Sequence, residues 1–354
     1  MLRLFSPHTS ESIAMKRRSL LQASLGCSAL GALGLARAAS PTRFKFNLGW
    51  KVEASGAGFL LAQQRGYYRD AGLDVVIDTG NGSTGVISLV ASGAYDAASA
   101  DLASMIEFMV RNPGAGLQAV AIQYDQNPNA VITRKGGPVR KASDLAGKTI
   151  LGQPFNASRK LFPAFAKAQG FDASGVRWEN LEPGVGDTRF AKGDFDAAAY
   201  FYFTGLLNLK ARGVDLATLD VYRYADFGIQ SYGNGLVAST RSMANAGAMK
   251  AFVAASARGW LDAIADPRAG AAAVKAREPL MNEAIELERL RLIIDGSMKS
   301  AGTAAHGWGA ATPERLQATL SETLEAFNLQ SSLTTAQIWT DAFLPPAAAR
   351  RLPA

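Results

Sequence analysis

The stretch RGYYRDAGLDVVID, residues 65–78, decides the fold. A helix-forming segment that contains Tyr67 and Tyr68 meets Gly72 and passes directly into LDVVID, a short run rich in β-branched residues. Glycine tolerates the left-handed conformation that often follows the last turn of a helix, and β-branched residues favour strands. The stretch therefore predicts a helix packed across a sheet, with the tyrosines covering the sheet edge, followed at once by a buried strand.

The alternation of strands and helices continues on both sides of this stretch. Residues 43–50 alternate apolar and polar side chains, which is typical of a strand, and residues 80–96 form a glycine-rich turn that opens a helix. Further strands are predicted at 117–124, 176–181 and 197–200, and C-terminal helices at 242–265, 267–278, 282–297 and 312–330. This order predicts an α/β architecture with largely parallel sheets.

Net charge argues against a nucleic-acid partner. The 354 residues carry a formal charge of +7, but the first 38 residues hold five basic side chains against the single acidic residue Glu11. The remainder is close to balanced, and it has no dense patch of lysine and arginine interleaved with aromatic residues. Four of the seven excess positive charges therefore belong to the N-terminal segment.

That N-terminal segment has the three parts of an export signal. From Met15, a basic start is followed by a moderately apolar stretch and then by Ala36-Arg37-Ala38, a small-residue cleavage site. Residues 1–38 are therefore predicted to be an export signal that directs the protein to the periplasm, with translation starting at Met15 rather than Met1. The pair Arg17-Arg18 favours the twin-arginine route, with ordinary secretion as the alternative.

The only cysteine is Cys27, inside the predicted signal. A lipoprotein would use a cysteine there, but Ser24 stands where a leucine is usual, so a cleaved signal is favoured. Cleavage after Ala38 leaves no disulfide, no thiol nucleophile and no cysteine-ligated metal site. The histidines are His8 and His306, and there is no G-x-S-x-G or P-loop motif. We therefore predict a protein that is not an enzyme and that has no cofactor and no metal.

Four phrases, taken together and in this order, resemble the periplasmic solute-binding proteins of ABC importers for nitrate, sulfonates, taurine and thiamine-pyrimidine precursors. They are GYYRDAGLDVVI (66–77), GNGSTGVISLVASGAYDAA (80–98), SDLAGKTILG (143–152) and FAKGDFDAAAYF (190–201). The resemblance implies the type II periplasmic binding fold: two α/β lobes, each a mostly parallel sheet flanked by helices, with a helical C-terminal part. It places lobe 1 at 43–132 and 238–340, the inserted lobe 2 at 136–233, and the hinge near 130–136 and 232–240.

The resemblance also implies a function. The protein would capture a small-molecule solute between its lobes as a monomer and deliver it to an ABC permease and its ATPase. The alternatives are an enzyme similar to a fungal pyrimidine synthase of the same fold, and a ligand-sensing protein without a transport role. The mature chain has no cysteine for the cysteine-rich motif of the synthase, and its histidine, His306, lies far along the helical C-terminal part. An export signal stands where a DNA-binding regulator would need a helix-turn-helix.

Candidate binding residues follow from the rule that open α/β sheets bind ligands at the carboxyl ends of their strands, beside helix N-termini. The candidates are Trp50, Gly82, Ser83, Thr84, Asp101, Tyr124, Asn156, Ser158, Arg159, Tyr200, Tyr202 and Tyr232. Several have a second interpretation: Ser83, Thr84 and Asp101 are also suited to capping helices, and Arg159 to facing solvent. Strand alternation puts Tyr200 and Tyr202 on one face and Phe201 on the other, with the cleft on either side.

The nature of the solute is left open between two classes. Aromatic residues among the candidates, with Phe155 beside them, favour a planar aromatic or heterocyclic compound, whereas a sulfonate or carboxylate fits the family equally well. Trp50 lies where the pyrimidine-precursor branch also has tryptophan. The sequence WKVEAS at 50–55 nevertheless lacks the acidic residue before and the Pro-Asn after that tryptophan, and no glutamate follows Tyr200 in YFYFTG.

Overall fold

The computed structural model describes residues 40–353. The predicted export signal, including Met15, the arginine pair and Cys27, lies outside the described residues. The strands are β1 (Thr42–Asn47), β2 (Leu73–Asp78), β3 (Ala97–Asp101), β4 (Leu117–Ile122), β5 (Asn129–Arg134), β6 (Thr149–Leu151), β7 (Arg177–Glu179), β8 (Ala197–Phe201), β9 (Leu219–Arg223) and β10 (Asn234–Ser239). They form two sheets, with the orders β2-β1-β3-β10-β4 and β7-β6-β8-β5-β9.

Helices flank both sheets. They are α1 (Ala57–Gln64), α2 (Tyr67–Asp70), α3 (Ser83–Ala91), α4 (Leu102–Arg111), α5 (Ala157–Ala168), α6 (Pro183–Lys192), α7 (Tyr202–Lys210), α8 (Thr240–Met243), α9 (Ala246–Ala265), α10 (Pro267–Arg277), α11 (Glu283–Ile293), α12 (Ala301–His306), α13 (Pro313–Ala326) and α14 (Thr335–Ile338). A π-helical turn at Ile294–Met298 continues α11. Between residues 40 and 353, no helix is long and apolar enough to cross a membrane.

Each sheet has four strands that run in one direction and one that is reversed. In the first sheet β10 is antiparallel to both β3 and β4, and in the second β5 is antiparallel to both β8 and β9. Each reversed strand is the first one that the chain enters after passing from the other sheet. The expectation of two α/β lobes with mostly parallel sheets is confirmed.

The chain passes between the sheets slightly earlier than predicted. β5 begins at Asn129 and already belongs to the second sheet, so the first crossing is at 123–128 and not at 130–136, and lobe 1 ends before 132. The glycine-proline segment 136–138 follows β5 within the second lobe. The return crossing is at 224–233, before β10 begins at Asn234, and so it also lies earlier than the predicted 232–240. Bending at these crossings stays a prediction.

The deciding stretch folds as a broken helix followed by a strand. Gly66 and Gly72 both adopt left-handed conformations, with φ of 76° and 77°, so a separate short helix, α2, lies between α1 and β2. The Tyr68 ring is buried and stacks on Phe252 of α9 at 5.5 Å, while its hydroxyl lies 2.9 Å from that of Ser256. The tyrosine therefore packs α2 against α9, while α2 itself lies beside β2, the edge strand of the first sheet.

Helices α1 and α9 pack unusually closely over the first sheet. A Cβ placed on Gly259 of α9 would lie 2.2 Å from the carbonyl oxygen of Gly58 in α1, and one on Gly58 would lie 2.3 Å from the Trp260 ring. Such distances leave no room for a side chain on either glycine. This contact fixes the C-terminal helices on the lobe that carries β1 and its adjoining loop.

Candidate ligand-binding cleft

A cleft of about 90 Å³ lies where the strand ends of the two lobes meet. Its walls come from the loops after β1, β2 and β4, from Ser99 of β3, the start of β10, the segment before α5, residues of α6, the end of β8, and one face of α7. The volume is several times what a single water needs. It suits a small solute and not a polymer.

Half of the predicted residues line this cleft. They are Trp50, Gly82, Ser83, Tyr124, Asn156 and Tyr200. Phe155 and Phe201 add two further rings. The rings therefore come from both lobes, with Trp50 and Tyr124 facing Phe155, Tyr200 and Phe201.

The mouth of the cleft is a contact between the two lobes. Gly82, at the N-terminus of α3, has a φ of 109°, and a Cβ there would lie 3.2 Å from the ring of Phe155. Phe155 is 36% exposed, and Trp50 is partly buried. The glycine thus allows an aromatic residue of lobe 2 to close over the loop of lobe 1.

Three predicted residues, two in lobe 1 and one at the return crossing, lie outside the cleft. Asp101 is buried and caps α4, its carboxylate accepting from the Ser104 N–H at 2.8 Å. Thr84 lies behind Ser83 in α3 without lining the cavity. The hydroxyl of Tyr232 accepts from the Thr312 N–H at 3.0 Å in the core of lobe 1. These residues support the walls.

Three predicted residues of lobe 2 also lie outside the cleft. The Ser158 hydroxyl, fully buried, is 2.7 Å from Oδ1 of Asn129. Arg159 donates to the Gly152 carbonyl at 2.8 Å and covers the ring of Trp178. Tyr202 begins α7, where the strand alternation has already ended, and donates to the Leu292 carbonyl at 2.6 Å. The sequence left open which of residues 200–202 face the cleft; in the structure Tyr200 and Phe201 line it.

Several polar residues of the cleft were not predicted. Glu53 follows β1, and its carboxylate accepts a 2.7 Å hydrogen bond from Thr204 of α7. Asp187 of α6 accepts from the Tyr200 hydroxyl at 2.7 Å and from the Asn208 amide at 3.0 Å. Both carboxylates line the cavity and are at least 95% buried. A signal was available in α7, where Thr204 and Asn208 are four residues apart and so share one helix face.

Burial perturbs the acids of this cleft. Desolvation raises the pKa of Asp187 above its usual value, although the bond from Tyr200 and the charge of Arg212 oppose the rise. The pKa of Tyr200 is raised well above 10, first by desolvation and then by the charge of Asp187. Tyr200 therefore stays a neutral donor to that carboxylate at physiological pH.

Cations and metal ligands are scarce around this site. Among residues 40–353, no lysine, arginine or histidine lines the cavity. No group of three potential metal ligands is found in the same part of the chain. The polar contacts that the cleft offers come from carboxylates, amides and hydroxyls.

Two α/β lobes, each with one reversed strand, that meet at a ring-lined cleft define the architecture of periplasmic binding proteins. Residues 54–270 match the family described as NMT1/THI5 like, and the chain belongs to this family.

Solved structures show the same fold. The periplasmic aliphatic sulphonate-binding protein SsuA from Escherichia coli superposes with a TM-score of 0.63 at 16% identity, over 86% of this chain and 100% of that one. The periplasmic nitrate-binding protein NrtA from Synechocystis PCC 6803 gives 0.65 at 13% identity, over 89% and 91%. The ligand-binding component of an ABC-type import system from Staphylococcus aureus, solved with zinc bound, gives 0.66 at 11% identity, over 86% and 99%. A search of curated proteins finds no match.

Proposed function

We propose that this protein is the substrate-binding component of an ABC importer and captures a small planar organic solute between its lobes. The observation that carries the proposal is the convergence of rings from both lobes on one enclosed cleft, with Gly82 and Phe155 in contact at its mouth. Offset or edge-to-face packing of such rings against a planar solute is favourable. The import role of structural relatives supports the same conclusion.

Closure of the two lobes is the mechanism. A solute binds the rings of one lobe, and the other lobe then closes over it, which is a shift in population toward the closed state. Contacts between the lobes stabilise that state: Thr204 bonds Glu53, and Lys160 of α5 pairs with Glu107 of α4 at 2.5 Å. The closed form docks on a permease, whose ATPase drives transport. The chain acts as an exported periplasmic monomer, with the twin-arginine pair directing export.

Binding and closure can be tested together on the mature protein starting at Ala39. A thermal-shift panel of planar organic compounds, aryl and alkyl sulfonates, taurine and nitrate identifies binders, since a ligand at a hundredfold its Kd stabilises by about 2.7 kcal/mol. Small-angle X-ray scattering of each binder should show a smaller radius of gyration than the free protein. Absence of closure with every binder would contradict the proposal and leave the sensing role.

Trp50 provides the matched test of ring stacking. We expect Trp50→Ala to weaken binding of a planar solute at least about tenfold, because a half-buried ring contact is lost, and Trp50→Phe to restore most of it. Isothermal titration of both variants measures the effect. Chemical conversion of the solute by the wild-type protein, followed by chromatography, would instead support the enzyme alternative.

A further inference from the structure

The buried carboxylates in and near the cleft wall outnumber the cations that pair with them. Glu53 and Asp187 line the cavity and Glu286 is buried outside it; among the described residues their ion pairs are with Arg289 and Arg212 alone. Arg289 is 3% exposed, lies 3.2 Å from Glu286 and 3.5 Å from Glu53, and donates to the Phe203 carbonyl. It is therefore held behind the wall and cannot turn toward a ligand without breaking these contacts.

The floor of the cleft presents a free hydrogen-bond acceptor. The Gln123 amide nitrogen donates to the Ser55 carbonyl at 2.9 Å, so its oxygen must accept, and it does so from the Ser99 hydroxyl. Because the Ser99 hydroxyl already donates its proton to Gln123, its oxygen accepts the hydrogen bond from Nδ2 of Asn234 at 3.1 Å. This directional chain fixes the orientation of the Asn234 amide.

Oδ1 of Asn234 is left without a partner. Asn234 is 8% exposed and lines the cavity, and among the described residues no donor reaches this oxygen. A buried acceptor without a hydrogen bond is energetically unfavourable. A ligand N–H placed here would recover that cost.

Helix N-termini provide a smaller opposing effect. The N–H groups at the start of α5 are used by the Asn156 side chain, which accepts from Ser158 at 2.8 Å and from Arg159 at 3.4 Å. The N-terminus of α3 has no side-chain cap and adjoins the cleft at Ser83. A helix terminus corresponds to about half a positive charge, which is less than the charge of either lining carboxylate. The free N–H groups there can donate to one oxygen or ring nitrogen of a solute whose other polar groups are donors.

Resting on the binding role proposed above, we propose that the cleft selects an uncharged or cationic planar solute with N–H donors and discriminates against simple oxyanions, including nitrate and alkyl sulfonates. The donors of the solute meet Asn234, Glu53 and Asp187, and its ring lies between Trp50 and the rings of lobe 2. The class includes amidines, amides and aminated heteroaromatic rings.

Benzamidine, benzamide and benzoate test this class, because they share one ring and nearly one shape. Their head groups are a cation with four N–H donors, a neutral group with two, and an anion with none. Titration calorimetry of the mature protein should rank them in that order, with benzamidine at least about tenfold tighter than benzoate, equivalent to about 1.4 kcal/mol. Glu53→Gln and Asp187→Asn should each reduce this ratio, whereas Asp70→Asn, an exposed carboxylate outside the cavity, should not.

Other outcomes are equally informative. Benzoate or benzenesulfonate binding as tightly as benzamidine, binding of none of the three, or an unchanged ratio in both cleft variants would overturn the inference. An oxyanion that binds and reduces the radius of gyration would overturn it while leaving the importer role standing. Failure of every compound of the wider panel to close the lobes would count against the role itself.

Discussion

Thr204 and Glu53 join the two lobes: the hydroxyl on α7 donates a 2.7 Å hydrogen bond to the carboxylate that follows β1, and both side chains are buried. The same carboxylate lies 3.5 Å from Arg289. The Glu53 carboxylate in the cleft wall therefore contacts both the opposite lobe and the C-terminal helices.

Removing this hydrogen bond should favour the open protein. Thr204→Val keeps the shape of the side chain but leaves Glu53 without its partner in lobe 2, so we expect a larger radius of gyration and up to about tenfold weaker solute binding. Scattering and calorimetry measure both. Thr218→Val is the matched control, because among the described residues that exposed hydroxyl bonds only to the Asp215 carbonyl of its own turn; equal effects of the two variants would contradict the prediction.

Gly82 should be required for the two lobes to close at the mouth of the cleft. Gly82→Ala strains a left-handed backbone and brings a Cβ to 3.2 Å from Phe155, so it should weaken solute binding at least about tenfold. Gly85→Ala, three residues later in α3, meets no atom within 4 Å and should bind normally. If calorimetry gives the two variants the same Kd, the lobes do not close at Gly82.

Asp187 should make stability depend on pH. Its folded pKa is raised above 3.8, so the folded state binds more protons than the unfolded state between the two values. The free energy of unfolding therefore falls as pH rises through that window and stays lower above it. Asp187→Asn removes this contribution, so the free energy of unfolding of the variant should increase relative to that of the wild type as pH rises. Urea unfolding of both across acid to neutral pH measures the difference; a constant difference would be evidence against a raised pKa.

The contact of α1 with α9 should tolerate no added methyl group. Gly259→Ala places a Cβ 2.2 Å from a backbone oxygen and should lower the free energy of unfolding by about 3 kcal/mol. Gly247→Ala, in the same helix, meets its first atom at 3.9 Å and should be neutral or stabilising by about 0.5 kcal/mol. Thermal or urea unfolding compares them, and similar midpoints would show that the helices can separate without cost.

Local patterns predicted most of the elements but not their exact breaks. The predicted helices at 267–278 and 312–330 correspond to α10 and α13, whereas the tyrosine segment is broken because Gly66 also turns left-handed. Glycine permits that conformation without requiring it, so sequence alone does not tell which glycine interrupts a helix. The resemblance placed the first crossing near 130–136, whereas β5 already begins at Asn129 in the second sheet, so the crossing is the polar loop 123–128.

The expectation that ligands bind at the carboxyl ends of strands identified cleft residues in loops, but it missed the cleft residues that lie on helices. Trp50 and Tyr200 follow or end strands, as the rule requires. Asp187 lies inside α6 in the sequence GDTRF, which is typical of a solvent-exposed turn, and its burial depends on α6 packing against α7. Such a contact between elements leaves no mark in a single sequence.

The exposed position of Phe155 at the cleft mouth also has a practical consequence, since residues 40–353 contain no cysteine. A dye attached at Phe155→Cys would be the sole labelled position of the mature chain and would stand opposite Gly82. The fluorescence of the dye would change when a solute binds. The labelled protein would then serve as a reagentless optical sensor for that solute.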